Sequence, residues 1–193
     1  MKKGKLYAIA LACLLISFLY DKQIMLIVAQ SRINLINGLV VWIANPWTVI
    51  TVFLFMTTLF LWEEKKREWI LPLWLSIIAT SVVTVVIKVM ISRPRPFESL
   101  TFPLIPGAHY TFGAWNTAFP SLHTAAVFSL VPILDKEFPK IKWFWIILAV
   151  LVSLSRVYMG VHYLSDVIAG AFIGIIISNR IIKIGKKYKL FKK

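Results

Sequence analysis

Apolar stretches that alternate with short polar segments run along the whole chain. Several of them approach or exceed the ~20 residues that a helix needs to cross the hydrocarbon core of a bilayer. The pattern predicts an all-α, polytopic membrane protein with six transmembrane helices. The predicted spans lie at residues 6–20, 39–62, 69–91, 120–134, 143–158 and 162–184.

The first predicted span follows a basic N-terminal segment, an arrangement that also occurs in cleaved signal peptides. A cleavage site of small residues does not follow the span, which instead meets Asp21-Lys22-Gln23. We therefore expect an uncleaved helix, followed at residues 21–38 by a short interfacial segment. In the second span, Asn45-Pro46 predicts either a kink or the true start of the helix.

The composition agrees with a membrane protein, since 59% of the residues are hydrophobic and only 16% are charged. Soluble domains are roughly a quarter charged, so an ordinary soluble core is excluded. We expect one membrane-embedded domain over residues 1–193. The single cysteine, Cys13, rules out an internal disulfide and a cysteine metal site.

The formal net charge of +14 reflects the distribution of basic residues along the chain. Sixteen of the 22 Lys and Arg residues fall on the side of the two termini, namely in the N-terminal segment, at 63–68, at 135–142 and from Arg180 onward. The positive-inside rule places both termini in the cytoplasm, where these cations can contact anionic lipid heads. Nucleic-acid binding would need a basic patch on a soluble surface, and the pattern has none.

Polar residues that could carry out chemistry gather at the opposite membrane face. One group closes the third span, a second opens the fourth span, and a third joins the fifth and sixth spans. Six helices thus bring three distant groups to one predicted depth. In chain order the groups are Lys88 and Arg95, then Ser121 and His123, and finally Arg156, His162 and Asp166.

His162 and Asp166 have the spacing of a catalytic histidine and its orienting acid. If the segment after Gly160 is helical, the two residues lie one turn apart on the same face. The carboxylate can then accept a hydrogen bond from one ring nitrogen, which leaves the other nitrogen free as a nucleophile. Arg156 adds a fork of donors for an anionic substrate. The same three residues also fit an ordinary helix start with a snorkelling arginine.

Basic residues with few neighbouring acids indicate an anion site at this face. Phosphate is the natural ligand, because arginine binds its oxygens in pairs and lysine adds a point charge. The segment Pro120-Ser121-Leu122-His123 opens a helix and adds unpaired backbone N–H groups. His123 can then protonate a leaving oxygen while His162 attacks phosphorus. Three histidines without an acidic cluster argue against a metal site.

The three groups form motifs that read Lys88-x6-Arg95-Pro96, Pro120-Ser121-Leu122-His123 and Ser155-Arg156-x5-His162-x3-Asp166. In order and spacing they resemble the signature of the type 2 phosphatidic acid phosphatase superfamily, which also includes the vanadium-dependent haloperoxidases. The resemblance covers roughly residues 69–180, the expected functional core. It implies a lipid phosphatase that needs no metal or other cofactor and acts through a phosphohistidine.

The resemblance also implies a role for each matched residue. His162 is the nucleophile, Asp166 orients it, and His123 protonates the leaving group. One position departs from the family pattern: Leu122 replaces the Gly that usually separates the Ser and the His of the second motif, which bears on substrate fit. The residues implied to hold the phosphoryl oxygens are Lys88, Arg95, Ser121 and Arg156.

We expect an integral membrane phosphatase that acts on a lipid phosphate or diphosphate at the outer face of a cytoplasmic membrane. Candidate substrates are undecaprenyl diphosphate, phosphatidylglycerol phosphate, phosphatidate and a lipid A phosphate, and the expected partners are this substrate and membrane lipids. The alternative is a non-catalytic lipid-phosphate binder or translocator. A channel or transporter should carry its charges near the bilayer midplane. A vanadate-dependent oxidase is disfavoured by six membrane spans.

Three further sets of residues receive simpler interpretations. Arg93 lies outside the matched positions and is expected to contact a lipid head, with a contact to the substrate as the alternative. His109 is expected to be an ordinary residue of the long loop at 92–119, although loops of this length are more often functional. Interfacial belts are expected from Trp42, Trp47, Trp62, Trp69, Trp115 and Trp143.

Overall fold

Helices make up nearly all of the regular structure. The computed structural model describes residues 3–108 and 117–188, and these two ranges contain no β-strand. The all-α prediction is confirmed. The helices are α1 Lys3–Gln30, α2 Asn34–Ala44, α3 Pro46–Trp62, α4 Ile70–Ile91, α5 Pro96–Ser99, α6 Leu122–Glu137, α7 Lys142–Tyr158 and α8 Leu164–Lys187, with 3₁₀ turns at Glu64–Trp69 and Pro139–Ile141.

Four helical segments of the described chain are long and apolar enough to cross a bilayer. They are Leu11–Gln30, Lys66–Ser99, Pro139–Tyr158 and Leu164–Lys187. The chain is therefore a multi-pass membrane protein. Two further predicted spans fall on shorter helices, because the second apolar run is divided into α2 and α3 and because α6 has only 16 residues. The number of six spans stays a prediction.

The first helix is longer than the sequence predicted. Residues 21–30 continue α1 without interruption, so the expected interfacial segment at 21–38 is wrong over this part. Asp21 is only 2% exposed and accepts a hydrogen bond from the backbone N–H of Ser165 at 3.0 Å. An acid that has a partner inside the bundle can remain in a spanning helix, and Asp21 therefore does not end α1.

Asn45-Pro46 separates two helices and does not kink a single one. Pro46 is the first residue of α3, where its missing N–H leaves no intrahelical bond unmade. The side-chain oxygen of Asn45 accepts a hydrogen bond from the backbone N–H of Trp47 at 3.0 Å and caps the helix. Of the two readings of this dipeptide, a helix start is the correct one.

Helices α6 and α8 touch through their backbones. A Cβ atom at Gly170 would lie 2.6 Å from the backbone oxygen of Ser121, and one at Gly174 would overlap the backbone oxygen of Ala125. Small residues allow this close approach in membrane helices. The contact holds the start of α6 against the second and third turns of α8, and it thereby keeps the second motif close to the third.

The main apolar core lies at the end of the bundle away from these motifs. Its largest fully buried members are Phe60, Met56, Leu73, Ile133 and Ile182, contributed by α3, α4, α6 and α8. The outer surface is also apolar, with Leu19 74% exposed and Met90 79% exposed. A soluble protein rarely presents so much exposed apolar surface, which is consistent with lipid around the helices.

Candidate active site

The three motifs meet at one end of the bundle. The C-terminal turn of α4, the start of α6 and the connection between α7 and α8 supply them. Lys88 lies within electrostatic range of Arg95, Arg156 and Asp166. His123 lies within the same range of Lys88, Arg95, Arg156 and His162. The structure thus brings the predicted histidines, cations and acid together, with more positive than negative charge.

His162 is not in a helix, contrary to the sequence-based expectation. It lies in the turn at 159–163, and α8 begins at Leu164. Its Nδ1 atom nevertheless lies 3.6 Å from Oδ2 of Asp166, because Asp166 is in the first turn of α8 and reaches back toward the turn. The same Oδ2 accepts a hydrogen bond from the backbone N–H of Tyr163 at 2.7 Å. Helix capping, not a shared helical face, pairs the two residues.

The surroundings of His162 favour its neutral form. Its side chain is 2% exposed, and burial lowers its pKa well below the usual 6.5. The nearby cations Arg95, Arg156 and Lys88 lower the pKa further, while the backbone carbonyl of Ala118 acts in the opposite direction. A neutral imidazole keeps a nitrogen lone pair at physiological pH, as a nucleophile requires.

Lys88 and Arg156 are held by backbone carbonyls of neighbouring segments. Lys88 Nζ donates hydrogen bonds to the carbonyl oxygens of Thr117 and Ala118, the latter at 3.4 Å. Arg156 is 7% exposed, and its Nη1 donates to the carbonyl oxygen of Ala44 at the end of α2. These contacts limit the movement of the two cations within the site.

Ser121 both caps α6 and links it to α8. Its hydroxyl oxygen accepts a hydrogen bond from Thr124 Oγ1 at 3.1 Å, and its backbone N–H donates to the carbonyl oxygen of Asp166 at 3.0 Å. Leu122 follows as the first residue of the helix, where backbone N–H groups have no intrahelical acceptor. The start of α6, with its N–H donors, therefore lies against the first turn of α8, which carries Asp166.

Arg95 begins the short helix α5 at the edge of the site. Its backbone N–H donates to Oε2 of Glu98 at 3.0 Å, which closes the first turn of that helix. The half-buried Arg95 lies within electrostatic range of both His123 and His162. The second cation of the first motif is therefore close enough to influence the pKa of His162, although it lies beyond the end of α4.

Comparison with known proteins identifies the family. A sequence profile described as PAP2 superfamily matches residues 69–189. The chain belongs to this superfamily. The resemblance inferred from the three motifs is thereby confirmed.

Proteins similar to this PAP2 protein include a diphosphatase and a transport permease protein. An undecaprenyl-diphosphatase of Sulfolobus acidocaldarius is 31% identical over 160 residues, which cover 80% of this chain and 73% of that protein. The bacitracin transport permease protein BcrC of Bacillus licheniformis is 41% identical over 61 residues, only 32% of this chain and 30% of that protein. The crystal structure of LpxE from Aquifex aeolicus has a TM-score of 0.68 and 26% identity, covering 84% of this chain and 94% of that one.

Arg93 and Asp21 belong to the site, and sequence reasoning missed both. Arg93 was expected at a lipid head, but its Nη1 donates to Oδ1 of Asp166 at 2.8 Å and its Nη2 donates to Oδ2 of Asp21 at 2.8 Å. One signal could have found the pair. Asp21 immediately follows an apolar run, and an acid at membrane depth requires a partner.

Several other predictions remain open. His109 and Trp115 lie outside the described residues. The side chains of Trp42, Trp47, Trp62 and Trp143 are 65%, 71%, 91% and 71% exposed, as interfacial residues would be. Trp69, predicted for the same belt, is half-buried and packs against the apolar core. The catalytic and binding roles of the motif residues also remain predictions.

Proposed function

We propose that this PAP2 protein is a membrane phosphatase that removes phosphate from a lipid phosphate or diphosphate through a phosphohistidine. One observation carries the proposal: the buried His162 has its Nδ1 atom 3.6 Å from Oδ2 of Asp166, and it lies near the cations Lys88, Arg95 and Arg156, which together with burial lower its pKa. A neutral nitrogen nucleophile beside concentrated positive charge suits attack on an anionic phosphoryl group.

The first chemical step transfers the phosphoryl group to the enzyme. A ring nitrogen of His162 attacks phosphorus, a P–N bond forms, and the P–O bond to the lipid breaks. The protonated form of His123, which the negative charge of the bound substrate favours over the empty site, gives its proton to the departing oxygen. Asp166 stabilises the positive charge that develops on the imidazole of His162, as the carboxylate of other catalytic Asp–His pairs does.

The second step releases inorganic phosphate. A water molecule attacks the phosphorus of the phosphohistidine, its proton passes to His123, and the P–N bond breaks to restore neutral His162. In both steps Lys88, Arg95 and Arg156 neutralise the phosphoryl oxygens. Positioning and charge stabilisation supply most of the rate enhancement of phosphoryl transfer, so these residues are proposed to act without a resident cofactor.

An apolar groove supports a substrate with a hydrocarbon chain. The groove has a volume of about 150 Å³ and is lined by residues of α2, α3, α6 and α7. On α6 its lining begins at Val127, one turn after His123, and on α7 it begins at Val152, one turn before Arg156. A lipid whose phosphate is held at the histidines could therefore extend its chain along this groove.

The proposed substrate class is a lipid phosphate or diphosphate. The undecaprenyl-diphosphatase among the relatives makes undecaprenyl diphosphate the first candidate, followed by phosphatidylglycerol phosphate, phosphatidate and a lipid A phosphate. The proposed setting is a cytoplasmic membrane crossed six times, with both termini in the cytoplasm and the site at the outer face. The distribution of basic residues supports this orientation.

Phosphate release from purified protein tests the proposal. The assay uses a panel of the four candidate lipids in detergent with EDTA present, and it compares the wild type with His162→Ala and with the control Lys22→Gln, whose side chain is exposed. Release by the wild type and by the control, but not by His162→Ala, is the expected result. Failure of folded wild-type protein to release phosphate from any of these lipids, together with measurable lipid binding, would indicate a binder or translocator.

A further inference from the structure

Arg93 joins two buried acids that come from opposite ends of the chain. Its guanidinium contacts Asp166 of α8 through Nη1 and Asp21 of α1 through Nη2, each at 2.8 Å. Asp166 is fully buried and Asp21 is 2% exposed. Buried carboxylates are retained in folded proteins only with close charge partners and hydrogen bonds. Arg93 supplies that partner to both.

Ser165 completes this network on the side of α1. Its backbone N–H donates to Oδ1 of Asp21 at 3.0 Å, and its hydroxyl donates to Oδ2 of the same acid. The Ser165 hydroxyl oxygen also accepts from Nη1 of Arg93 at 2.7 Å. Asp21 therefore holds both Arg93 and the first turn of α8, which carries Asp166.

The two oxygens of Asp166 have separate partners. Oδ1 accepts from Arg93, while Oδ2 accepts from the backbone N–H of Tyr163 and faces Nδ1 of His162. A carboxylate held through both oxygens cannot rotate about its terminal bond without losing these hydrogen bonds. The contact of Arg93 with Oδ1 therefore determines how Oδ2 is presented to His162.

The shape of arginine suits this position. The guanidinium carbon of Arg93 lies 4.1 Å from the ring centroid of Tyr163 and 5.1 Å from that of Phe18. A planar guanidinium can stack on aromatic rings and donate to two carboxylates at once, whereas lysine offers one compact charge on a flexible stem. Lysine at this position could neutralise one acid but could not hold both.

We infer that Asp21 and Arg93 are positioning residues that set the orientation of Asp166 and, through it, of His162. The inference rests on the proposed phosphatase function. It predicts a loss in turnover rather than in substrate binding, because the contacts of Arg93 in this network are with Ser165 and the two acids and not with the phosphate-binding cations. Mutation of a residue that orients a reactive group by hydrogen bonding, without contacting the substrate itself, typically lowers activity about 10- to 100-fold.

Kinetics of single variants provide the first test. Arg93→Gln is expected to lower kcat about 10- to 100-fold with KM nearly unchanged, and Asp21→Asn to lower kcat about 10-fold. Arg93→Lys should recover only part of the loss. Lys22→Gln is the matched control, because Lys22 is exposed and adjoins Asp21, and its kcat should equal that of the wild type. A raised KM with unchanged kcat in Arg93→Gln would show that Arg93 grips the substrate, and it would overturn the inference.

A double-mutant cycle separates positioning from a general structural effect. Residues that act through one another give non-additive losses, whereas independent sites give losses that multiply. Adding Asp21→Asn to the Asp166→Asn variant should therefore lower kcat less than twofold, although Asp21→Asn in the wild type is expected to lower kcat about 10-fold. Multiplied losses would overturn the inference.

Two controls keep the outcomes distinct. Size-exclusion profiles and thermal unfolding in detergent identify variants that fail to fold. If Arg93→Gln fails to fold, the double-mutant cycle of Asp21→Asn with Asp166→Asn tests the positioning role instead, because Asn has the same shape as Asp. A wild type without phosphatase activity on any lipid of the panel would refute the proposed function. An active wild type whose Asp21→Asn variant keeps full kcat would refute only the positioning role.

Discussion

Nδ1 of His162 lies 3.6 Å from Oδ2 of Asp166, although the histidine belongs to a turn and the acid to the helix that follows it. Substituting Asp166 with Asn keeps the shape but removes the charge that would stabilise the imidazolium. We expect kcat to fall on the order of 10²- to 10⁴-fold with little change in KM. Phosphate-release kinetics on the preferred lipid check this, and turnover like that of the wild type would remove the orienting role.

His123 should matter most for substrates with poor leaving groups. A general acid contributes about 10²- to 10⁴-fold when the departing oxygen must be protonated. We therefore expect His123→Ala to lose activity by about this factor on a lipid monoester and much less on p-nitrophenyl phosphate, whose leaving group needs no proton. Rates on the two substrates, each divided by the wild-type rate, give the comparison. Equal losses on both would contradict a general-acid role.

Stability should fall in acid because of His162. The folded-state pKa of this buried histidine lies well below 6.5, while the unfolded chain takes up a proton near that value. The unfolded state therefore binds more protons below pH 6.5, and this term lowers the free energy of unfolding by up to about 1.4 kcal/mol per pH unit. Thermal unfolding in detergent between about pH 7.5 and about pH 5 measures the effect.

The matched variant for this measurement is His162→Gln, which cannot titrate. Its unfolding temperature should decrease less than that of the wild type over the same pH range. Parallel decreases in the two proteins would show that other groups cause the acid sensitivity.

Filling the apolar groove should select against long lipid chains. Val127 lines the groove one turn from His123, so Val127→Trp would obstruct a chain while leaving the histidines in place. We expect kcat/KM to fall about tenfold or more for a long-chain lipid phosphate, and to change little for a short-chain analogue. Leu154→Trp is the control, because Leu154 is 48% exposed on α7 outside the groove lining. The same loss for both chain lengths would place the lipid chain elsewhere.

The close contact of α6 with α8 should tolerate no added methyl group at Gly174. A Cβ there would overlap the backbone oxygen of Ala125, so Gly174→Ala must separate the helices. We expect a destabilisation of about 1–3 kcal/mol, seen as a lower unfolding temperature in detergent. Gly38→Ala is the control, since a Cβ at Gly38 meets nothing within 4 Å. Equal unfolding temperatures for the two variants would argue against tight packing at Gly174.

Features that depend on local sequence were predictable. Spans with uniform apolar character gave accurate boundaries, as at α4, predicted at 69–91 and observed at Ile70–Ile91, and at α7, predicted at 143–158 and observed at Lys142–Tyr158. The convergence of the three motifs also followed from counting spans. In a chain that crosses the membrane repeatedly, the end of the third span, the start of the fourth, and the connection between the fifth and sixth lie at the same membrane face. Both results need only hydropathy and chain direction.

Features that depend on tertiary contacts were not predictable. The first span was predicted to end before Asp21, because a charge normally marks a membrane boundary. In the structure Asp21 stays buried within α1, because Arg93, between α4 and α5, and Ser165 of α8 donate hydrogen bonds to it. Arg93 was predicted to lie outside the catalytic group because it falls outside the matched motif positions, and only its contacts with Asp21 and Asp166 place it within that group. The sixth span was predicted to begin at residue 162, but α8 begins two residues later, at Leu164. The reason is that Asp166 accepts a hydrogen bond from the backbone N–H of Tyr163, which caps the helix at that residue.

The contact between Asp21 and Ser165 has a consequence for biosynthesis. It joins α1 to α8, which is made long after α1, so the network cannot close until α8 has entered the bilayer. Until then Asp21 has Arg93 as a partner but lacks the Ser165 donors, and Arg93 lacks Asp166. Buried charges with fewer partners are less favourable at membrane depth, so we expect chains without α8 to be less stable as well as inactive.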